Sequence, residues 1–474
     1  MSGWAVEHRP PAPPPARTPT ARPHHGPPAV RPERPAVRRL PLLLTTAVLC
    51  GGLTVLGATG RGGAPGAASA GGPRHDTGAP VAAGSLPRAV AADQQRLRAL
   101  PGDAAGWARL GGEYVEQARL TADPSYYPKA EEALRRSMTL TPDGNVEALT
   151  GLGALANARH LFAEARDFAG QAIAVSPAHW AAYAVLADAR TQLGDDTGAT
   201  EAVQDLLDRR PGTASFTRAA YDLEQHGRTD DARLALQQAL AGAYDPADQA
   251  FCQYQIAELD RTGGRTRDAL AGYRQALATD AGYTPALAGR ARAEAALGDT
   301  DAAVRDYTEA VARVPLPQYL LELGELQESL GRPGEARQQY LLLEAEQRLA
   351  EANGVVDDLA TGQYQADHGD PATAVRLLRG EWERRQNALV ADALAWALHR
   401  QGADGEALEL ADRAQRGGWR NAQFAFHRGE IELALGRTAA ARGHLTEALA
   451  IDPYFSPLWA PRARAALAAL PASP

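Results

Sequence analysis

GEIELALGRTAAARGHLTEALAIDP, Gly429 to Pro453, carries two apolar patterns at helical spacing with a small-residue pause between them. The pattern recurs along the chain. Gly436 aligns with Gly402 and Ala441 with Ala407, both at a step of 34 residues, and the same step links Gly264 to Gly298 and Ala269 to Ala303. Segments ending ALAGYRQALATD, AAVRDYTEAVARVP, EALELADRAQRG and AARGHLTEALAIDP share one layout. In each a small residue is followed by an aromatic or leucine one helical turn on, then by alanine, as in Ala303, Tyr307 and Ala310. A repeat of this period is the signature of stacked helical hairpins.

The physical reasons are direct. Residues four and seven apart lie along one helix face. Small alanines let two helices approach closely, and Tyr307 or Leu445 fills the space between them. Glycine in ELDRTGG, AALGD, ESLGRPG and LALGRT ends the first helix and lets the chain reverse. One hairpin cannot bury its apolar face, but a stack buries a continuous one.

These residues resemble the tetratricopeptide repeat family, a helix-turn-helix unit with small residues at its eighth and twentieth positions. The clearest units are 250–283, 284–316, 388–421 and 422–455, and earlier ones start near Ala104, Val146, Trp180 and Thr213. Variant units run from Pro317 to Leu343 and from Val355 to Arg385. Together they make an array of about ten hairpins across 88–470. The resemblance itself covers Asp103 to Leu470. WARLGGEYVEQ opens the array, with Trp107 as a core anchor, before TADPSYY interrupts the spacing. LLLEAEQRLAEAN, Leu341 to Asn353, reads as a prolonged helix that either bends the superhelix or divides it into two arrays. Ser456-Pro457-Leu458-Trp459 leads into an alanine-rich helix that covers the end of the stack.

The resemblance implies an all-α superhelical solenoid whose concave wall is lined mainly by the first helix of each hairpin. The family's groove positions fall on Tyr254, Glu258, Arg292, Glu325, Asp392, Trp396 and Glu430, with Arg261 and His399 at the edge of the same wall. Mixed charge with Tyr254 and Trp396 suits an extended peptide, charges setting register and aromatics offering contact area. One subclass of the family grips a terminal carboxylate with lysines and asparagines. This chain has no lysine after Lys129, which disfavours that mode.

Composition agrees with helix packing. Of 474 residues, 45% are apolar but only 6% aromatic, so alanine and leucine fill the core. The net charge of -8 argues against nucleic acid as the main partner. Residues 1–39 are proline- and arginine-rich, too poor in apolar residues to fold, and read as a disordered tail. LPLLLTTAVLCGGLTVLGATG, residues 40–60, carries no charge and is long enough to cross a bilayer once. Arg38 and Arg39 abut it, and the excess of arginine before it favours an N-terminus in the cytoplasm with the repeats outside. A cleaved export signal is the alternative. Lipid attachment at Cys50 fits poorly, because Leu49 before it is bulky. Residues 61–87, rich in Gly, Ala, Pro and Ser, read as a flexible linker. Abundant alanine and arginine with almost no lysine suits a bacterial source.

Chemistry is sparse. The chain has no GxxxxGK[ST] loop, dinucleotide fingerprint, HExxH, CxxC or GxSxG. His427 and Glu430 in HRGE could supply two metal ligands, but without a third they read as a surface or groove pair. Asp370 in HGD, beside His368, reads as a helix cap, and Cys252 in FCQYQIAEL as a buried apolar residue. No catalytic residue, cofactor or metal is expected. The expected function is a noncatalytic, membrane-tethered scaffold in the bacterial cell membrane that binds a protein or extended peptide through the superhelix. The alternative is a secreted or cell-envelope assembly component that docks through its convex surface.

Overall fold

The structure, a computed structural model, describes residues 86–471. The tail, the apolar stretch at 40–60 and nearly all of the linker lie outside the described residues. Among those described, no strand forms, and no helix is long and apolar enough to cross a membrane.

An opening helix, α1 (Leu86–Ala99), precedes ten hairpins. In order they are α2 (Ala104–Thr121) with α3 (Tyr126–Leu140), α4 (Val146–Ala158) with α5 (Phe162–Val175), α6 (Trp180–Leu193) with α7 (Asp196–Arg209), and α8 (Thr213–Gln225) with α9 (Thr229–Ala241). The middle three are α10 (Pro246–Thr262) with α11 (Thr266–Thr279), α12 (Thr284–Ala296) with α13 (Thr300–Arg313), and α14 (Pro317–Ser329) with α15 (Pro333–Ala352). The last three are α16 (Asp358–His368) with α17 (Pro371–Arg384), α18 (Ala388–Arg400) with α19 (Asp404–Ala414), and α20 (Ala422–Ala434) with α21 (Thr438–Ile451). Helix α22 (Trp459–Ala469) closes the stack. The chain is an all-α, tetratricopeptide-like superhelical solenoid.

Local chemistry explains each hairpin. Side-chain caps satisfy free amides at helix starts: Asn145 accepts from Ala148, Asp299 from Ala302 and Asp370 from Ala372 and Thr373. The small residues of the repeat are sealed, with Ala269, Ala303, Ala407 and Ala441 all 0% exposed. A Cβ on Gly429 of α20 would lie 2.7 Å from Leu445 of α21, so the missing side chain is what lets leucine fill the gap. Full burial of such a leucine contributes roughly 2 kcal/mol. Trp107 departs from the expected core anchor. It packs partly buried against the α1–α4 cluster, and its Nε1–H donates to the Pro101 carbonyl at 3.0 Å, because α1 supplies Leu86 and Leu97 to that core instead.

The prolonged helix is present as α15, 20 residues long. The apolar core thins there to Leu320, Leu343 and Tyr364, whereas one continuous cluster runs from Leu359 of α16 to Ala463 of α22. Polar and aromatic contacts bridge the join: Tyr340 lies 4.6 Å from His368, and His368 Nε2 is 3.2 Å from Glu325.

Beyond the join the solenoid returns on itself. The turn of the second hairpin meets the junction of the seventh and eighth, where the Val356 N–H donates to the Arg159 carbonyl at 3.0 Å. Contacts at the next three hairpin turns follow in register. Gln386 N–H donates to Leu193 O at 3.3 Å, and Asn387 Nδ2 to Gln192 O at 2.8 Å. Gly227 abuts Gly418, and Gly264 abuts Ile451, each with a would-be Cβ 2.7 Å from a backbone oxygen. This seam closes the concave side of the array into a lumen.

Candidate functional site

The lumen is a cavity of about 810 Å³ lined by residues from both superhelical turns. Counted from the start of each unit at 250, 284, 317, 388 and 422, two positions recur in its wall. The second gives Phe251, Pro285, Gln318, Leu389 and Gln423; the sixth gives Gln255, Glu322, Ala393 and His427. They are one helical turn apart, so they form a single stripe on the first helices.

Of the nine residues read from the sequence, Tyr254, Arg261, Arg292, Glu325 and Trp396 line the lumen. Glu258, Asp392, His399 and Glu430 stand behind the wall, each engaged within the protein. Glu258 pairs with Arg261 at 2.9 Å and Arg292 at 3.0 Å and accepts the Tyr273 hydroxyl. Asp392 meets His427 Nδ1 at 2.9 Å, His399 Nδ1 meets Asp404 at 2.6 Å, and Glu430 accepts from Arg462 Nε at 2.7 Å. The ninth position of each unit yields three wall residues, Arg292, Glu325 and Trp396. The fifth and twelfth sit on the flank of the stripe and turn partly into the packing between hairpins. His427 and Glu430, read as a surface or groove pair, are both buried and bond to different neighbours, because α20 is packed between α18, which carries Asp392, and the closing α22, which carries Arg462.

A buried ion network underlies the central wall. Arg292 bridges Glu258 and Glu322, at 3.0 and 2.9 Å, and the Tyr307 hydroxyl donates to Glu322 at 3.0 Å. Burial disfavours charge on Glu258, but the Arg261 and Arg292 guanidiniums outweigh it and hold its carboxyl down at about 2. Glu224, buried and facing the Glu258 charge, is pushed up to about 7. Burial likewise raises the Glu325 carboxyl above its usual range, against the opposing pull of His368. At the C-terminal end the wall turns aromatic. Trp396, 2% exposed, stacks on His427 at 4.2 Å and donates its Nε1–H to Asp367 at 2.7 Å.

Asp367, Trp459 and the second- and sixth-position residues other than His427 were missed as wall residues. Their signal was available in the 34-residue step itself, since Leu389 and Gln423, like Ala393 and His427, are one repeat apart. Among the described residues, no group of three or more His, Cys, Asp or Glu side chains is placed to hold a metal ion. Cys252 is a free, buried thiol.

No protein-family model matches the chain, and no curated protein matches it. Solved structures do. A tetratricopeptide repeat protein from Parabacteroides merdae is 18% identical over 54% of this chain and 97% of that one, with a TM-score of 0.32. A thermophilic tetratricopeptide repeat protein in Thermus thermophilus is 23% identical over 44% and 99%, with a TM-score of 0.33. The human IFIT1 dimer with PPP-AAAA is 15% identical over 77% and 87%, with a TM-score of 0.42. What these likenesses share with the chain is its fold, the helical repeat solenoid.

Proposed function

We propose that this protein is a noncatalytic scaffold whose lumen holds an extended segment of another protein. The observation that carries the reading is the recurring wall stripe, in which the first helices of five hairpins present second- and sixth-position side chains to a single cavity. An extended chain matches such a wall because its side chains also recur at a fixed rise. The apolar stretch at 40–60 tethers the scaffold to a bacterial membrane, with the repeats outside the cytoplasm, as its flanking arginines favour.

A second reading has its own support. Leu341, Leu342 and Leu349 of α15 are 56%, 50% and 45% exposed, and this apolar stripe suits docking through the outer surface. Photo-crosslinking from Gln363 in the lumen wall and from Leu342 on α15, in the full chain, separates the two. A discrete protein captured from Gln363 and not from Leu342 is expected. Capture from Leu342 alone would overturn the lumen reading in favour of the outer surface.

A further inference from the structure

The C-terminal end of the lumen holds hydrogen-bonding capacity that the protein leaves unused. Trp396 of α18 stacks on His427 of α20 at 4.2 Å and meets Trp459 of α22 edge-on at 5.6 Å, and all three line the cavity. His427 is 2% exposed; its Nδ1 faces Asp392, and its Nε2 has no hydrogen-bond partner. Asp392 Oδ1, Glu430 Oε1 and Trp459 Nε1 are likewise buried and unpartnered. Asp367, on the cavity wall, accepts the Trp396 Nε1–H but forms no ion pair among the described residues.

On the cavity wall the Asp367 carboxylate and the unpartnered His427 Nε2 therefore lie beside the two indoles, while the Asp392 and Glu430 carboxylates stand behind it. The Arg462 guanidinium meets Glu430 behind the wall, and among the described residues no guanidinium bonds to Asp367. A buried carboxylate without a full set of partners is costly, and the shortfall is met by a cation with several N–H groups. Indole faces accept such a cation. The protein shows this with its own residues, since the guanidinium carbons of Arg400 and Arg462 lie 5.8 and 5.7 Å from the centre of the Trp459 ring. A planar fork of five N–H donors can reach acceptors in different directions, whereas an ammonium is compact and strongly hydrated.

We infer that this end of the lumen reads an arginine side chain of the bound segment, seated at the Trp396–Trp459 corner and donating to Asp367 and to the unpartnered Nε2 of His427. The inference rests on the lumen reading and goes beyond it by naming what the lumen selects.

The test starts with a pool of random-sequence linear decapeptides passed over the full-length chain in mild detergent. Retained peptides should be enriched in arginine. In a retained peptide, replacing that arginine by citrulline, which keeps the shape and removes the charge, should weaken binding at least tenfold, and replacing it by lysine should weaken it less. Asp367→Asn keeps an acceptor for the Trp396 Nε1–H and so preserves the fold, which thermal melting checks; it should weaken the arginine peptide about tenfold while leaving the citrulline peptide unchanged. Peptides retained with no arginine preference, or citrulline bound as well as arginine, would overturn the inference and leave the lumen reading standing. If no peptide is retained at all, both readings fall.

Discussion

Gly264 and Gly298 hold the same place in consecutive hairpins, and both adopt the left-handed backbone, with φ of +74° and +90°. Their surroundings differ completely. A Cβ on Gly264 would sit 2.7 Å from the carbonyl oxygen of Ile451, while one on Gly298 would meet nothing within 4 Å. Gly194 and Gly227 follow the first pattern, and Gly402 and Gly436 the second. One residue type at one repeat position thus does two jobs. At Gly298 it only reverses the chain, and at Gly264 it also lets two superhelical turns touch. Equivalence in the repeat is equivalence of the hairpin, not of what the hairpin meets.

The largest test of this difference is the pair Gly264→Ala and Gly298→Ala. Each forces an L side chain into left-handed backbone, at about 1 kcal/mol. At Gly264 the new methyl must also push the seam apart, which raises the cost to roughly 3 kcal/mol. Hydrogen exchange should show lost amide protection around Ile451 and Asp452 in the first variant only. Equal effects at the two sites would mean that the seam contributes nothing.

A smaller effect is expected of Asn387→Ala. Asn387 Oδ1 caps α18 by accepting from Val390, and its Nδ2 donates across the seam to Gln192 O at 2.8 Å. Losing both should cost about 2 kcal/mol, against about 1 kcal/mol for Asp299→Ala, an exposed cap away from the seam. Denaturant titration of the two variants measures the excess.

The subtlest test is of pH. His160 lies at the seam, 3.7 Å from Asp357, and burial pushes its imidazole pKa below the ordinary value despite that carboxylate and Glu381, with Arg385 adding to the depression. The unfolded chain therefore takes up a proton near pH 6.5 that the folded chain refuses. Stability falls as pH drops through 6.5 and stops falling once the folded pKa is passed. His160 itself has φ of +61°, so His160→Asn, which tolerates that backbone and does not titrate, should flatten the loss of seam protection between pH 7 and 5.5. An unchanged acid profile would place the titrating group elsewhere.

Much of the fold was legible because its contacts are local. The pairing of Gly429 with Leu445, the burial of Ala303 and Tyr307 and the turn at Gly436 all follow from helical spacing and one close approach between neighbouring helices. The candidate wall was legible only in part. Arg292, Glu325 and Trp396 share the ninth position of the unit and line the lumen, yet Glu258 and Glu430 share it and do not. Their carboxylates are drawn back by arginines, Arg261 and Arg292 for the one and Arg462 for the other. Which of two equivalent carboxylates finds an arginine depends on the helix stacked beside it, which the repeat pattern does not specify.

The sequence by itself determined the hairpin, its period and the order of stacking, since these need only residues four and seven apart and the next hairpin along. The tertiary structure decided that the concave side would be closed. Closure depends on small rotations between successive hairpins that accumulate from the second hairpin to the seventh, until Arg159 meets Val356 and Leu193 meets Gln386. Each rotation is set by side-chain packing at one interface, and no single interface carries a mark of where their sum will bring the chain.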